Sequence, residues 1–250
     1  NEEDSNLIGL WKFNQGPDGD YPQTLIDHSG NQNHGTIYGA SWQENIFGCT
    51  DPLASNYLEN ATIDDGSCQG SPVNSEDFTY AGEFNGHYYY LSNYNAQSWS
   101  DALEISVNSN GYLVTITSEE ENEFVSYLHN PSFFIGLYKD SNNWHWINGE
   151  VFSYNNWRPG EPSGNGNYVT TNWSYPNSGE WDDNNYWSDY KFMIELAIGC
   201  MDELACNYNA DVNFDDGSCE YNDLCGDCGG DNSTCVIITD IDGNQYGTVE

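Results

Sequence analysis

An internal repeat without gaps constrains the fold of this chain more than any other feature. Residues 48–68 recur as residues 199–219, offset by 151 positions, with Gly-Cys-x-Asp, Ala-x-Asn-Tyr and Asp-Asp-Gly-Ser-Cys in register. Each copy is much shorter than ~40 residues, the size below which a folded unit needs a disulfide bond or a metal ion. The sequence therefore predicts two small stapled units around a long central segment that has no cysteine.

The eight cysteines predict disulfide bonds formed in an oxidising compartment, because their number is even and they cluster in segments rich in Gly, Asn and Asp. In the first copy, Cys49 and Cys68 have no other cysteine within reach and should pair. The repeat then implies the pair Cys200 and Cys219. The remaining four cysteines should form two bridges in an order that stays open: Cys206, Cys225, Cys228 and Cys235. A zinc site at the Cys-x-x-Cys motif is disfavoured, since no second pair or histidine lies at ligand spacing.

The charge balance excludes two classes of partner. The chain has 40 acidic and 4 basic side chains, a formal charge of −36, whereas nucleic acids and anionic membranes need a Lys/Arg surface. No apolar run approaches the ~18 residues of a membrane helix. Because 15% of the residues are aromatic, we expect a folded chain rather than an acidic disordered one. The acidic side chains repel one another, and salt or bound calcium would reduce this repulsion, which favours a medium rich in both. Together with residues 1–6, which resemble the start of a processed chain, this predicts a secreted or surface-attached protein.

The repeats divide the chain into eight predicted segments. These are a tail (1–6), a β-rich fragment (7–47), the first disulfide repeat (48–69), a linker (70–77), a central domain (78–198), the second repeat (199–220), a Cys/Gly-rich tail (221–235) and a β-hairpin (236–250). The hairpin has Asp242-Gly243 at its turn. Both ends are strand-like and isolated hairpins are marginal in water. Either the chain continues past residue 250, or the ends of neighbouring molecules pair by strand addition.

The central domain carries a mixture of helical and strand patterns. Helices are predicted at residues 98–107 and after a capping box at 117–121. Strands are predicted at 113–116, 133–138, 144–147 and 192–196, with a long loop reaching to about residue 187. Loops beyond ~12–15 residues are uncommon unless they are functional or bind metal. The fold class predicted for the chain is α+β.

Motifs in this order resemble those of a C-type lectin-like domain, over about half of the chain. They are Trp99-x-x-Ala102, the run from Gly111 to Phe124, Phe134-Ile-Gly-Leu137, Trp144-x-Trp146, Asn156-Trp-x-x-Gly-Glu-Pro-Ser163, Trp181-Asp-Asp183 and Phe192-Met-Ile-Glu195. The resemblance implies two helices, small mixed sheets and a long loop region. Ser106, Ile194 and Tyr168 stand where the family has disulfide cysteines, as in bacterial members.

The same resemblance implies a calcium-dependent sugar site in the long loop. Glu161-Pro162-Ser163 and Trp181-Asp182-Asp183 stand where sugar-binding members have Glu-Pro-Asn and Trp-Asn-Asp, with a cis proline. The implied calcium ligands are Glu161, Ser163, Asn167, Asp182 and Asp183, and the implied sugar contacts are Glu161, Ser163, Trp181, Asp182 and Trp157. Since Ser163 is shorter than Asn and one carboxylate is lost at Asn167, we expect a calcium Kd of about 10⁻⁴–10⁻³ M. The loop aromatics either stack on sugars or form a loop core: Trp157, Trp173, Tyr175, Tyr186 and Trp187.

The flanking segments resemble two further families. The repeats are similar to cysteine-containing spacers in large secreted surface proteins of marine Bacteroidota. In the second copy, Asp211, Asn213, Asp215 and Asp216 resemble a calcium loop, and the alternative is a turn whose carboxylates bind backbone amides. Residues 7–47 resemble the first strands of a laminin-G/concanavalin-like β-sandwich, through Trp11-x-Phe-Asn14 and the run from Asp27 to Gly35.

Binding without catalysis is the predicted activity. The five histidines form no His-x-x-x-His pair, and there is no Gly-x-Ser-x-Gly motif. The leading hypothesis is calcium-dependent adhesion to glycans or surface glycoproteins outside the cell. The alternative is a structural subunit or stalk of an extracellular fibre, which self-associates head to tail by strand complementation and binds no sugar.

Overall fold

A computed structural model of the protein describes residues 8–11, 24–25, 27, 29, 31–38, 45–129, 131–172, 178–184, 189–240 and 242–248. Several predicted features lie outside these residues, wholly or in part. They are the tail 1–6, most of the strand expected at 7–13, residues 241, 249 and 250 of the hairpin, and the loop aromatics Trp173, Tyr175, Tyr186 and Trp187.

Two helices and fifteen short strands make up the regular structure of the described residues. In chain order they are β1 (Thr24–Leu25), β2 (Gly35–Thr36), β3 (Phe47–Gly48), β4 (Ile63–Asp64), β5 (Phe78–Phe84), β6 (His87–Ser92), α1 (Trp99–Asn108), β7 (Tyr112–Leu113), α2 (Glu119–Leu128), β8 (Phe133–Asp140), β9 (Asn143–Trp146), β10 (Tyr168–Thr171), β11 (Asp182–Asn184), β12 (Lys191–Gly199), β13 (Phe214–Asp215), β14 (Val236–Thr239) and β15 (Gln245–Thr248). The predicted α+β class is confirmed.

A nine-stranded mixed sheet organises the central domain. Its main order is β11-β10-β8-β12-β6-β5, and β7 and β13 also pair with β12 while β9 pairs with β8. Strand β12 runs antiparallel to β6 and parallel to β8, with Phe192 opposite Phe134. Residues 192–197 of β12 are all buried, as expected of a strand covered on both faces, and all of them except Glu195 are apolar.

Both helices start at a serine whose side chain accepts a hydrogen bond from a free backbone N–H, and in α2 this serine lies in the capping box predicted at residues 117–121. The Ser98 Oγ accepts from the Asp101 N–H and the Ser118 Oγ accepts from the Glu121 N–H, each at 3.1 Å. The Glu121 carboxylate accepts a hydrogen bond from the Thr117 N–H at 2.7 Å. In the usual capping box this bond comes from the N-cap residue itself, here Ser118, so the bond is shifted by one residue. Helix α1 buries Trp99, whose indole N–H donates to the carbonyl of Ile135 at 2.7 Å.

Two predictions about strands need correction. The strand expected at 113–116 is limited to β7, because the chain leaves the sheet after Val114, whose N–H still donates to the Met193 carbonyl. The long loop is also not structureless. It contains β10 and β11, which pair with each other and extend the sheet from β8.

The hairpin of β5 and β6 has no counterpart in the sequence analysis. Its turn, Asn85-Gly86, has φ angles of 51° and 81°, the left-handed pair that Asn-Gly favours in two-residue hairpins. The aromatic-rich run that follows supplies the buried rings of Tyr89 and Tyr90, which lie in two different hydrophobic clusters of the core. The Asn-Gly pair between two such runs is the signal that would have identified it.

The structure holds both disulfide bonds that the repeats predict, Cys49–Cys68 and Cys200–Cys219. The open pairing is Cys206–Cys228 and Cys225–Cys235. The copies also share a two-residue parallel ladder, between β3 and β4 in the first and between β12 and β13 in the second. Since β12 is the central strand of the main sheet, the second repeat is joined to the central domain by backbone pairing.

The terminal segments form small two-stranded sheets. Strands β14 and β15 make the predicted hairpin, with Thr239 opposite Gln245, and β1 pairs with β2 near the start of the chain. No helix within the described ranges has the length and apolar character needed to cross a membrane.

Candidate functional site

Three carboxylates from two separate segments meet in the long loop region. Glu161 follows a turn, whereas Asp182 and Asp183 begin strand β11. Ligand oxygens of all three side chains lie within 4.8 Å of one another. Asp182 and Asp183 are buried and Glu161 is half-buried. The strand pairing places Asp182 opposite Thr170 and Asp183 opposite Val169, so the sheet fixes two of the three carboxylates.

Backbone hydrogen bonds join the two segments. The Trp181 N–H donates to the Asn156 carbonyl at 2.9 Å, and the Arg158 N–H donates to the Trp181 carbonyl at 3.0 Å. The Glu161 N–H then donates to the Arg158 carbonyl at 3.0 Å, which closes the turn that presents Glu161. The peptide bond from Glu161 to Pro162 is cis.

The Asp183 carboxylate is held by backbone amides. One oxygen accepts from the Ser163 N–H at 2.7 Å, and the other accepts from Gly164 and Gly166 at 3.0 and 2.9 Å. Burial alone would raise the pKa of Asp183, but the hydrogen bonds that these amides donate to it hold that pKa below its ordinary value. Asp183 is therefore a carboxylate that organises the loop and stays ionised.

The Arg158 side chain lies against the other two carboxylates. Its guanidinium hydrogen-bonds the Asp182 carboxylate and lies 3.1 Å from Glu161 Oε1. Arg158 was not among the site residues predicted from the sequence. The available signal was its position three residues before Glu161, in a chain with only four basic residues.

The donor set fits calcium better than a softer metal. Carboxylate oxygens are hard ligands of the kind that calcium takes, and no cysteine or histidine belongs to this group. Ser163 lies beside the cluster, with its Oγ 3.4 Å from Asp183 Oδ1. Asn167 is exposed, and its carbonyl accepts from the Lys139 N–H at 2.8 Å. Glu161, Asp182 and Asp183 are thus the predicted ligands that the structure brings together.

Trp181 is a core residue and not a sugar contact, which corrects one predicted role. It has no exposed surface, and its ring packs against Trp146, Tyr154 and Trp157 with centroids 5.7–5.8 Å apart. Its indole N–H donates to Asn122 Oδ1 at 2.9 Å. Trp157 is half-buried and also packs on Trp144, so it is less enclosed than Trp181.

The calcium loop predicted in the second repeat does not assemble. The Asn213 amide is committed to β12, since its Oδ1 accepts from the Ala197 N–H at 2.8 Å. Asp215 and Asp216 accept the backbone N–H groups of Gly217 and Ser218. Within the described residues, Asp211, Asp215 and Asp216 form no cluster of metal-binding distance. The observed geometry is the alternative, a turn stabilised by its own carboxylates.

A second buried polar network surrounds Glu195 on β12. One carboxylate oxygen bonds the His87 ring and the Tyr112 hydroxyl, and the other accepts the Thr115 N–H at 3.0 Å. The hydrogen bond to Glu195 raises the pKa of His87 above its ordinary value, although burial opposes this. Burial raises the pKa of nearby Glu121. This network ties β6, β7 and β12 together.

Comparisons with known proteins all point to the same family. Residues 95–193 match the family model described as the lectin C-type domain. The chain is 32% identical over 131 residues to lectin BRA-3 of Megabalanus rosa, which covers 47% of this chain and 76% of that protein. It is 33% identical over 109 residues to lithostathine-1 of Mus musculus, covering 40% of this chain and 66% of that protein, slightly under two thirds of its length.

Among solved structures, this chain aligns with the carbohydrate-recognition domain of cow CD23 with 29% identity and a TM-score of 0.43. That structure was determined in the presence of a GlcNAc2Man3 oligosaccharide. The alignment covers 50% of this chain and 96% of that domain. The family match over residues 95–193 includes all three clustered carboxylates. This match and the identity to lectin BRA-3 over most of that protein show that the chain belongs to the C-type lectin family.

Proposed function

We propose that this protein binds glycans outside the cell through a calcium ion held by Glu161, Asp182 and Asp183. The observation that carries the proposal is the convergence of these three carboxylates, from segments about twenty residues apart, on one point of the long loop. The C-type lectin domain, matched at residues 95–193, is a carbohydrate-binding fold and not a catalytic one. A protein of this family with such a cluster is best explained as a lectin.

The chain's own groups suggest how the site works. Asp183 is fixed by three backbone amides, so one carboxylate is already oriented when an ion arrives. Calcium, when bound, keeps open coordination positions that two neighbouring sugar hydroxyls can fill. Trp157, which is half-buried, offers an apolar surface for a sugar face. Eight cysteines in four bridges and a charge of −36 fit a calcium-rich extracellular medium.

Calcium titration with a matched control tests the ion. The variant Glu161→Gln with Asp182→Asn removes two ligands and leaves the Asp183 loop contacts intact. The control Asp211→Asn with Asp216→Asn makes the same change in net charge in the second repeat. With ~10 mM calcium and a millimolar Kd, binding to the native state adds about 1.4 kcal/mol, a rise in melting temperature of a few degrees. The rise should vanish in the first variant and persist in the control.

A glycan array run with calcium and with EGTA tests the ligand. Calcium-dependent binding that the first variant loses would support the lectin function. An array without calcium-dependent signals would favour the alternative, in which the lectin domain is a packing unit of an extracellular fibre. The calcium response could instead be retained by Glu161→Gln with Asp182→Asn and lost by Asp211→Asn with Asp216→Asn. That result would place the calcium ion in the second repeat.

A further inference from the structure

The binding loop contains its own cation. Arg158 is the only arginine of the chain, and its guanidinium bonds both Asp182 and Glu161. The partner side chains are only 6% and 8% exposed, compared with 29% for Arg158. The guanidinium therefore closes the solvent side of two buried carboxylates.

Arg158 bonds two of the three carboxylates that would hold the calcium ion. Its contacts are to Asp182 Oδ2 and Glu161 Oε1, two of the three side chains in the cluster. The third, Asp183, has both oxygens engaged by the amides of Ser163, Gly164 and Gly166. A guanidinium and a metal ion cannot occupy the same position between the same oxygens, because both are cations and each needs the same lone pairs.

Charge balance points the same way. The three carboxylates carry −3 and Arg158 adds +1, so the loop has a residual charge of −2 with the guanidinium in place. Unpaired buried carboxylates are strongly unfavourable. Arg158 offsets this and lets the loop keep its fold at low calcium.

We propose that Arg158 is an internal competitor for the calcium position, which lowers the affinity of the loop and must move aside when the ion binds. This inference rests on the proposed calcium site. Arg158 therefore sets the affinity and specificity of the site, because calcium replaces the guanidinium between the carboxylates when it binds. The loop then has two ordered states, one closed on Arg158 and one closed on the metal.

Titration calorimetry with calcium chloride compares the parent protein with Arg158→Gln. The matched control is Lys191→Gln, which makes the same change in net charge at a different surface, beside His129 and Asp189. Removing a positive charge a few ångströms from a divalent ion should tighten calcium binding about tenfold. The melting temperature of Arg158→Gln without calcium should fall, and its rise on adding calcium should exceed that of the parent. The Lys191→Gln affinity should stay close to that of the parent.

The unmodified protein supplies a second readout, independent of whether Arg158→Gln folds. Because Arg158 is the only arginine, it gives the only arginine Nε–Hε signal in a ¹H–¹⁵N spectrum. Calcium should shift this signal and increase its exchange with water, with a midpoint equal to the calorimetric Kd. If the parent binds calcium while Arg158→Gln binds no more tightly, or if saturating calcium leaves the Nε–Hε signal unchanged, the competitor role is wrong and the calcium site stands. If neither protein binds calcium up to ~10 mM, the calcium site itself is wrong and this inference falls with it.

Discussion

The Asp51 carboxylate in the first repeat accepts a hydrogen bond from the hydroxyl of Tyr90, on strand β6 of the lectin domain, at 3.1 Å. Both residues are almost without exposed surface, at 2% and 1%. The other carboxylate oxygen accepts from the Ser71 hydroxyl. In the second repeat, the equivalent Asp202 accepts instead from Tyr221, in the tail that follows it. Two copies with the same motif therefore use one aspartate for different contacts, and the first copy is docked against the lectin domain by a buried polar pair.

Replacing Tyr90 with Phe should destabilise the protein by about 1–3 kcal/mol, because the buried Asp51 carboxylate loses a donor and gains no substitute. Tyr221→Phe is the matched control, since Tyr221 is exposed and its partner Asp202 is only half-buried, and we expect a clearly smaller loss because water can replace the hydroxyl. Urea denaturation measures both changes. Equal losses would mean that the contact between the first repeat and Tyr90 adds nothing to stability.

The pair of His87 and Glu195 should make stability depend on pH. The pKa of His87 is raised in the folded protein by its hydrogen bond to Glu195, and Glu121 and Glu150 act in the same direction. A pKa that is raised in the folded state stabilises the fold. This stabilisation is complete at pH values below the ordinary pKa of 6.5, and it is lost as the pH rises through the folded-state pKa. The stability lost on His87→Gln should therefore be larger at pH 5.5 than at pH 9. His145→Gln, on the exposed side of β9, is the control, and a loss in His87→Gln that does not change with pH would contradict this role.

Gly136 on β8 should tolerate no side chain. A Cβ atom there would lie 3.0 Å from Ile147 Cγ2 and 3.1 Å from the Val114 carbonyl oxygen, and closer still to that of Leu113. These carbonyls belong to buried backbone and cannot move without breaking hydrogen bonds. We expect Gly136→Ala to lose more than about 3 kcal/mol or to prevent folding. Gly86→Ala, at an open turn with φ 81°, should lose about 1–2 kcal/mol from backbone strain alone. Similar melting temperatures for the two variants would contradict this prediction.

Peptide mapping of the unreduced protein should recover four disulfide-linked pairs. Two follow from the repeat, Cys49–Cys68 and Cys200–Cys219, and two from the tertiary structure, Cys206–Cys228 and Cys225–Cys235. A link from Cys49 to a cysteine after residue 199 would overturn the division into two repeats. A link between Cys206 and Cys225 would overturn only the arrangement of the tail.

Local features of the sequence were sufficient to identify much of this protein. Apolar spacing predicted α1, and a capping box followed by apolar spacing predicted α2, because both signals depend on side chains within three or four residues of one another. The 151-residue repeat predicted two disulfide bonds, since each lies within one short unit. The order of motifs identified the lectin fold, and with it the three carboxylates at Glu161, Asp182 and Asp183.

The tertiary structure decided which of these groups act together. Arg158 and Asp182 are far apart in sequence and meet because backbone hydrogen bonds join the segments around Asn156 and Trp181. The burial of Trp181 depends on three aromatic rings from two other segments, Trp146 at the end of β9 and Tyr154 and Trp157 in the loop after it. Asn213 was predicted as a calcium ligand from its spacing, yet its amide is used by β12, a strand outside the repeat motif. Contacts of this kind depend on how distant segments pack, and a polar residue's spacing along the chain does not reveal which partner will take its hydrogen bonds.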